Sequence, residues 1–552
     1  MPRRPDPHPW EASYPPGLRW DVPIATGTVP QLLGRAVTAY AGRPAIDFRG
    51  RTITYAELGR RVDRAARGLA ALGLLPGDAV ALLLPNTPAH PVAFFGVLRM
   101  GGRVVHLSPL DPARSVARKL ADSGARTLMT TNLPGTLPQA VQAWQEGACD
   151  RLIVAEDADW GGIGAGLAVP GGARTLDGLD GPDLAWPEAA PDDVALLQYT
   201  GGTTGLPRAA MLTHANLTST VSIYDAWNQG IGRAYHRGDR VMCVLPLFHI
   251  YALTAVLLRG LANGAELLLR QRFDVESALA DIERGRCTHF FGVPTMWIAI
   301  VNHEGIASRD LSSLRVASSG GAALPGEIIG RFHQLTGLRL GGGWGMTETA
   351  PAGTNLLPGR VQRPGEIGVP LPGIEMDVVA LDDPRRVLPA GEVGEVRIRG
   401  PNVMPGYWNR PAENAAAFVD GWFLTGDVGR MDADGVFTLV DRKKDMLISG
   451  GFNVYPRAIE DAIHEHPDVQ EAAVIAVPDP YRGQAAKAYA VLREGAAPLT
   501  LDGLRAFLAD KLGRHEMPAQ LEIRTHLPHT PVGKLAKLEL VAELASQEPH
   551  HG

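Results

Sequence analysis

Cysteine is scarce in this chain of 552 residues. The three cysteines, Cys149, Cys243 and Cys287, lie far apart without a Cys-x-x-Cys pair, which argues against a disulfide framework and a zinc site. No run approaches the ~18 apolar residues of a membrane-spanning helix. Prolines follow Arg3 and Arg4 where a secretory signal would carry an apolar segment. We therefore expect a cytoplasmic protein without a transmembrane segment, and leave peripheral membrane contact open.

Positive charge is not in excess either. The formal net charge is −6, which argues against nucleic acid as a main partner. Lysine is rare, with 7 lysines among the 53 basic residues, and 6 of these lysines lie after residue 440. The last hundred residues therefore differ in composition from the rest. A chain of 552 residues is long enough for about three or four structural units.

What the chain does contain is an alternation of short apolar runs and helical patterns. Strands are predicted over 79–84, 104–107, 127–130, 240–245, 266–269 and 289–292, and helices over 54–72, 91–99, 112–122, 253–261 and 276–283. Such alternation is typical of βαβ units and of a largely parallel sheet covered by helices. Residues 155–193 are dense in Gly, Asp and Pro, which predicts a surface connection.

The second half of the chain changes character between about 360 and 440, where strands follow one another through short polar connections. We expect a small β-rich subdomain there. After residue 441 helices and strands alternate again, beginning with a helix that opens at Pro456. The predicted fold is α/β, with a large domain of layered α/β subdomains and the β-rich subdomain over 1–441, and a small α+β domain over 442–552.

A glycine-rich loop follows the apolar run 194–197, within the stretch QYTGGTTGLPRAAMLTHAN at 198–216. Glycines let backbone N–H groups converge on an anion, while hydroxyls and an arginine add donors and a fixed charge. The candidate phosphate-binding residues are Thr200, Gly201, Gly202, Thr203, Thr204, Gly205 and Arg208. A Walker loop is excluded, because the only Gly-Lys pair in the chain is Gly533-Lys534. An ordinary turn is the alternative.

This loop resembles the phosphate loop of the adenylate-forming superfamily, which includes acyl-CoA synthetases, acyl- and aryl-acid ligases, luciferases and peptide-synthetase adenylation domains. Further blocks of that family follow in its order, namely PLFHIYALT at 246–254, GGWGMTET at 342–349, GWFLTGDVGRMDADG at 421–435, DRKKDMLISGGFNVYP at 441–456 and TPVGKLAKLEL at 530–540. The resemblance covers nearly the whole chain. It implies that ATP activates a carboxylic acid as an acyl-adenylate before transfer to a thiol.

The resemblance also implies the residues that would hold the nucleotide and Mg²⁺. Glu348 would be a ligand of Mg²⁺, with Thr204 as a second protein oxygen, and Thr347 would bind the α-phosphate. Trp344 stands where similar enzymes usually carry Tyr, and together with Gly345 it would face adenine. A helix cap with an acidic first turn is the alternative interpretation of this Thr-Glu pair.

The resemblance implies nucleotide contacts for two more sets of residues. The passage Gly320-Gly321-Ala322 would run close to the adenine or the acyl group, with a plain turn as the alternative. Asp427 would accept hydrogen bonds from both ribose hydroxyls, helped by Arg442. An Asx turn and a surface arginine are the alternative for that pair.

The last implied group belongs to the C-terminal domain. Lys534 would approach the carboxylate and the α-phosphate during adenylation; without the resemblance it would be an ordinary surface lysine. A hinge near Lys444 would make the domain a mobile lid and present Gly450 and Gly451 toward the pantetheine arm of CoA. Arg208 replaces the lysine usual in the phosphate loop, so the charge is kept.

The nature of the acid follows from the block at 246–254. His249 lies where similar enzymes place a residue near the reacting carboxylate, and a core histidine is the alternative. The block contains no acidic residue, so the substrate should lack a charged amine. Together with FFGVPTMW at 290–297 and SGGFNVYP, the block is most similar to medium- and long-chain fatty acyl-CoA synthetases. Glycines 341–343 would leave room for an alkyl chain.

We therefore expect a ligase that converts a fatty acid and ATP into acyl-AMP and pyrophosphate, and then acyl-AMP and CoA into acyl-CoA and AMP, with Mg²⁺. A ligase for an aryl or short-chain acid is one alternative. An enzyme that loads a carrier-protein thiol is another, and a non-catalytic fatty-acid- or nucleotide-binding protein is a third. A homodimer is left open.

Overall fold

The computed structural model describes residues 7–162, 164, 166–200, 208–322, 324–360, 362–363, 365–449, 452–480, 482–529 and 535–547. Backbone contacts divide the chain into two compact units. The first comprises Met1–Gln362, Gly368–Glu375 and Arg399–Phe418, and the second comprises Arg363–Ile367, Met376–Ile398 and Val419–Gly552.

The helices are mostly short and amphipathic. The α-helices are α1 Val29–Tyr40, α2 Tyr55–Ala71, α3 Ala89–Arg99, α4 Ala113–Ser123, α5 Leu137–Gln145, α6 His214–Gly230, α7 Arg259–Ala262, α8 Val275–Glu283, α9 Pro294–Val301, α10 Gly326–Thr336, α11 Pro411–Ala417, α12 Pro456–His464, α13 Leu501–Leu508 and α14 Lys537–Gln547. A π-helix, Ala252–Leu258, leads directly into α7. Among the described residues, none of the helices has both the length and the hydropathy that a bilayer crossing requires.

The strands supply several sheets. They are β1 Pro44–Phe48, β2 Arg51–Thr54, β3 Ala79–Leu83, β4 Arg103–His106, β5 Thr127–Thr131, β6 Arg151–Ala155, β7 Arg174–Thr175, β8 Val194–Thr200, β9 Arg208–Thr213, β10 Arg240–Cys243, β11 Glu266–Leu269, β12 His289–Gly292, β13 Val316–Ser319, β14 Gly341–Gly342, β15 Thr354–Asn355, β16 Glu366–Pro370, β17 Glu375–Val379, β18 Gly394–Arg399, β19 Phe418–Val419, β20 Trp422–Met431, β21 Phe437–Arg442, β22 Leu447–Ser449, β23 Phe452–Val454, β24 Val469–Asp479, β25 Gly483–Leu492 and β26 Gln520–Arg524. The predicted α/β class is confirmed.

The first unit contains two largely parallel sheets. In one, the strand order is β14-β13-β12-β10-β11-β1-β2, and only the β1–β2 pair is antiparallel. Its core includes Phe290, Trp297 and Phe332. Buried on both faces, such strands are continuous apolar runs, which is why β11 and β12 have the bounds that the sequence predicts.

The other sheet has the order β7-β6-β5-β3-β4-β8-β9. Strands β3, β4 and β5 confirm the predicted βαβ alternation. The segment 155–193, predicted as a surface connection, is mostly exposed or half-buried, and it also adds β7 in parallel with β6 and buries Leu176 and Leu179. A Cβ added to Gly68 would lie 2.5 Å from the Cβ of Leu179, so the connection packs tightly on α2.

The glycine-rich loop joins two strands and does not lead straight into a helix. Strand β9 returns antiparallel to β8, with Thr200 in register with Arg208. Helix α6 begins one strand later, where the Thr213 hydroxyl accepts a hydrogen bond of 3.1 Å from the N–H of Asn216. The segment Arg208–Thr213 escaped prediction because its alternation is short and borders the glycines.

The second unit combines antiparallel strands with helices α12 and α13. Strands β18, β20 and β21 pair antiparallel, as do β24 and β25, while β26 adds to β25 in parallel. Helices α12 and α13 contribute Ile459 and Leu504 to a core with the β24–β25 hairpin. The compact units do not follow the predicted boundary at 441–442, which stays a prediction about the mobile part of the chain.

Asn216 joins the start of α6 to a later segment of the first unit. Its side-chain amide donates to the carbonyl oxygens of Pro401 and Val403 at 2.8 and 3.0 Å, and its side-chain oxygen accepts from the N–H of Thr213 at 2.9 Å. The substitution Asn216→Ala removes all of these hydrogen bonds and leaves the backbone groups of Thr213, Pro401 and Val403 without this partner. Unsatisfied groups cost about 1–3 kcal/mol each, so we expect the free energy of unfolding to fall by about 2–4 kcal/mol in guanidinium denaturation followed by tryptophan fluorescence.

The matched control is Gln31→Ala, which removes the same type of capping side chain at an exposed position in the first turn of α1. Its cost should stay below about 1 kcal/mol. Equal losses in the two variants would contradict the linking role of Asn216.

Candidate functional site

The site is built around Glu348, whose side chain is buried although it is charged. Glu348 is 6% exposed and lies in the 3-10 turn Thr347–Thr349. Its Oε1 accepts a hydrogen bond of 2.8 Å from the Tyr407 hydroxyl, and its carbonyl accepts one of 2.8 Å from the N–H of Met404. Within the described part of the chain, Oε2 accepts no hydrogen bond. The carboxylate is therefore held by one oxygen and can offer the other.

The path of the chain into this turn is fixed by close packing. A Cβ added to Gly345 would lie 1.5 Å from the carbonyl oxygen of Pro351, so only glycine fits there. The ring of half-exposed Trp344 packs on Gly353, where a Cβ would lie 2.5 Å from a ring carbon. The Asn402 side chain then donates to the carbonyl oxygen of Thr349 at 2.7 Å. These contacts fix the path of the chain on both sides of Thr347 and Glu348.

Arg208 reaches the same place from β9. Its guanidinium lies over the Tyr407 ring at 4.7 Å from the ring centroid, and it forms an ion pair of 3.2 Å with Glu413. Ala210 and Tyr407 form a β-bridge, which brings this segment alongside β9. Burial and the Glu348 carboxylate raise the pKa of Tyr407 well above its ordinary value, so its hydroxyl stays a donor.

Sequence reasoning missed Tyr407 and Glu413. They lie in MPGYWNRPAEN, whose aromatic pair and prolines show no periodicity that would indicate a site. The only local signal is an aromatic pair following a glycine. The structure adds both residues to the site because Tyr407 contacts Glu348 and Glu413 contacts Arg208. The sequence does not show these contacts because the partners lie far apart along the chain.

The phosphate loop itself is described only at its two ends. The Thr200 hydroxyl, at the end of β8, donates to the carbonyl oxygen of Arg208 at 3.4 Å. The other candidate residues outside the described part of the chain are Gly201, Gly202, Thr203, Thr204, Gly205, Gly450, Gly451 and Lys534. Their assigned roles stay predictions.

The blocks around His249 and Gly320 come together. A Cβ on Gly320 would lie 2.9 Å from the ring of Tyr251, so the glycine permits close packing of the two segments. Half-buried His249 accepts a hydrogen bond of 3.3 Å through Nδ1 from the N–H of Tyr251. Gly321, with φ of 82°, adopts the left-handed conformation that favours glycine, and Ala322 is exposed.

In the second unit, Asp427 and Arg442 are register partners on β20 and β21. The Arg442 guanidinium forms an ion pair of 2.8 Å with Asp427, which is 5% exposed, and donates to the carbonyl oxygen of Thr425 at 3.2 Å. The two residues that the sequence names together are thus in direct contact. Lys443 pairs with Glu395 at 2.7 Å, and Lys444, the predicted hinge residue, is exposed.

The start of α14 is held by an ion pair with a buried carboxylate. The Lys537 ammonium lies 2.7 Å from Glu460, which also accepts a hydrogen bond of 2.6 Å from the N–H of Val474. Burial raises the pKa of Glu460 to about 7. Asp441 accepts from the N–H of Arg457 at 2.8 Å, so the strand that precedes Lys444 is tied to α12.

The residues present fit Mg²⁺ that arrives with a nucleotide. Among the described residues, no group of three or more His, Cys, Asp and Glu side chains could enclose a metal ion. Mg²⁺ usually keeps several waters and is bound through one or two carboxylates and substrate phosphates. The single buried carboxylate of Glu348, with Oε2 available, suits that mode of binding.

Comparison with known families matches both parts of the chain. The family model described as AMP-binding enzyme matches residues 33–408. The model described as AMP-binding enzyme C-terminal domain matches residues 458–534. Both matches include residues that the sequence assigns to nucleotide binding or catalysis.

Individual relatives match over nearly the whole length. The chain is 34% identical to a long-chain-fatty-acid–CoA ligase of Bacillus subtilis strain 168, over 98% of this chain and 99% of that protein. It is 39% identical to a feruloyl-CoA synthase of Amycolatopsis sp, over 90% and 95% of the two chains. The crystal structure of ATP-bound MatB from Rhodopseudomonas palustris is similar, with a TM-score of 0.83 and 27% identity over 94% of this chain and 99% of that one.

The Tyr407–Glu348 hydrogen bond provides a direct test of the site. Tyr407→Phe keeps the ring under Arg208 and removes only the hydroxyl. Hydrogen bonds to charged groups contribute about 1.5–3 kcal/mol, so we expect kcat/KM for MgATP in a pyrophosphate-release assay to fall about tenfold to a hundredfold.

The control for this variant is Tyr55→Phe, which removes another buried hydroxyl, one that donates to the carbonyl oxygens of Leu261 and Ala265. We expect it to leave kcat/KM unchanged and to alter only stability. Wild-type kcat/KM in Tyr407→Phe would show that Glu348 does not depend on this donor.

Proposed function

Since this chain belongs to the AMP-binding enzyme family, we propose that it is an acid–CoA ligase that acts on medium- or long-chain fatty acids. The observation that carries the fatty-acid assignment is the 34% identity with a long-chain-fatty-acid–CoA ligase over 98% of this chain. In the first step the fatty acid carboxylate attacks the α-phosphorus of ATP and pyrophosphate leaves. In the second step the CoA thiolate attacks the acyl carbonyl carbon, and AMP leaves.

Adenylation brings an anionic carboxylate against a triphosphate, so positive charge must converge on the reacting atoms. We assign that charge to Arg208 and Lys534. Glu348 and Thr204 would hold Mg²⁺, which neutralises phosphate charge when bound. Thr347, next to Glu348 in the turn, donates to the α-phosphate in this proposal.

In this proposal the adenine base and the ribose of the nucleotide contact other residues. Trp344 stacks on adenine beside Gly345, and Gly320, Gly321 and Ala322 form the backbone passage past the adenine or acyl group. Asp427 accepts from both ribose hydroxyls. Support for this role comes from the Arg442 ion pair of 2.8 Å, which orients the Asp427 carboxylate.

Thioester formation requires that Lys534 withdraw while the thiol approaches. We assign the hinge to Lys444 and the pantetheine contacts to Gly450 and Gly451. His249 lies close to the reacting carboxylate in this proposal. We place the reaction in the cytoplasm, where ATP and CoA are both available.

A second candidate substrate is an aryl acid. It is favoured by the 39% identity with a feruloyl-CoA synthase over 90% of this chain. Both candidates share the adenylation step, so they differ only in the acid that the pocket accepts. A carrier-protein thiol would instead replace CoA in the second step.

A substrate panel separates these candidates. Purified protein is incubated with Mg²⁺, ATP, CoA and either octanoic, dodecanoic, hexadecanoic, benzoic or ferulic acid, and products are measured by mass spectrometry. We expect fatty acyl-CoA and AMP in equal amounts. If only ferulic acid gives a thioester, the proposed substrate becomes an aryl acid. If the acyl group is transferred only to a phosphopantetheinylated carrier protein, the carrier takes the place of CoA in the proposal.

The role of Lys534 is tested by separating the two steps. In Lys534→Ala we expect adenylation, measured as pyrophosphate release, to fall at least a hundredfold, because no ammonium offsets the developing charge. Thioester formation from supplied acyl-AMP and CoA should change less than about threefold. Lys511→Ala, which removes a lysine paired with Glu465, should leave both steps unchanged. Full pyrophosphate release in Lys534→Ala would refute the assignment.

A further inference from the structure

Arg233, a residue not assigned above, lies in the first unit just after α6. A Cβ added to Gly341 would lie 3.4 Å from Nη1 of Arg233 and 3.5 Å from the carbonyl oxygen of Ala317. Gly341 begins the Gly-Gly-Gly-Trp stretch that leads to the Glu348 turn. The guanidinium is therefore placed beside the glycines that the sequence assigns to the acyl chain.

Arg233 differs from two other arginines of the first unit in its partners. Within the described part of the chain, its half-buried guanidinium makes no ion pair and no hydrogen bond. Arg259, by contrast, pairs with Asp225 at 2.8 Å, and Arg315 pairs with Asp239 at 2.5 Å. Burial lowers the pKa of Arg233 from its ordinary value. An uncompensated charge of this kind is costly unless a ligand completes it.

Another polar group lies on the strand next to Gly341. Gly341 is in register with Ser318 on the parallel pair β13–β14, and a Cβ added to Gly341 would lie 3.8 Å from the Ser318 hydroxyl oxygen. The Ser318 hydroxyl and the guanidinium therefore lie on the same side of Gly341, near the carboxyl end of β13, where α/β proteins bind ligands.

We propose that Arg233 binds a second carboxylate at the far end of the acid, so that this ligase prefers α,ω-dicarboxylic acids to monocarboxylic acids of equal length. The inference rests on the proposed ligase function and names the class of fatty acid that the site takes. A guanidinium and a carboxylate form paired, charge-assisted hydrogen bonds. A methyl end would leave the guanidinium desolvated without a partner, and sites built for a polar group reject analogues that lack it.

The test compares matched acids on the full-length enzyme. kcat/KM is measured by acyl-CoA formation for octanedioic against octanoic acid and for dodecanedioic against dodecanoic acid. In the wild type we expect at least a tenfold preference for the diacid of one pair, the size of effect that a charge-assisted hydrogen bond gives. Arg233→Met should abolish that preference and improve use of the monocarboxylic acid. Arg233→Lys, which keeps the positive charge, should retain part of the preference for the diacid.

The matched control is Arg237→Met, which removes an exposed arginine four residues along the same segment. It should keep the wild-type preference. Thermal unfolding of each variant verifies folding, and calorimetric titration with octanedioate measures diacid binding independently of turnover. We expect affinity to fall about tenfold or more in Arg233→Met.

The outcomes separate this inference from the ligase proposal. Equal use of both acids by the wild type, or an unchanged preference in Arg233→Met, overturns the role of Arg233 and leaves the ligase intact. Absence of thioester from every acid refutes the ligase proposal. In that case, equal octanedioate affinity of wild type and Arg233→Met overturns the role of Arg233 as well.

Discussion

The hydrogen bond from the Tyr407 hydroxyl to the buried Glu348 carboxylate connects the main parts of the site in the first unit. A carboxylate removed from water needs a donor or a cation, and Tyr407 supplies the donor while its ring supports the guanidinium of Arg208. The strand that ends the glycine-rich loop and the turn that follows the Gly-Gly-Gly-Trp stretch are thus tied to one aromatic side chain. The site would lose its geometry if either segment moved independently, so the surrounding sheets serve to fix both.

How much could be predicted from the sequence depends on whether a feature is local. Strands β11 and β12 are apolar runs inside a parallel sheet, and their bounds follow from composition alone. The sequence also names Asp427 and Arg442 together, because both residues belong to motifs of the resembling family, and the structure pairs them directly. Strand β9, by contrast, is too short and too close to glycines for its alternation to be distinguished from a loop.

Tyr407, Glu413 and Arg233 could not be found in the sequence for a different reason. Tyr407 meets Glu348 across 59 residues, and Arg208 meets Glu413 across 205 residues, so no window of sequence contains either pair. Arg233 belongs to no motif, and its significance lies in the missing carboxylate, which only coordinates reveal. In the second unit the Lys537–Glu460 pair likewise joins two elements, α14 and α12, that lie far apart in the sequence.

The Arg208–Glu413 ion pair of 3.2 Å has a consequence for how an anion would enter. The guanidinium is already stripped of part of its hydration and already engaged with a carboxylate. An arriving phosphate would exchange one anionic partner for another, and only the displaced Glu413 side chain, which is partly exposed, would return to water. Such an exchange avoids the desolvation that a fully hydrated cation would require. The phosphate and the Glu413 carboxylate would then compete for the Arg208 guanidinium, and the outcome would depend on how many oxygens each group can place against it at once.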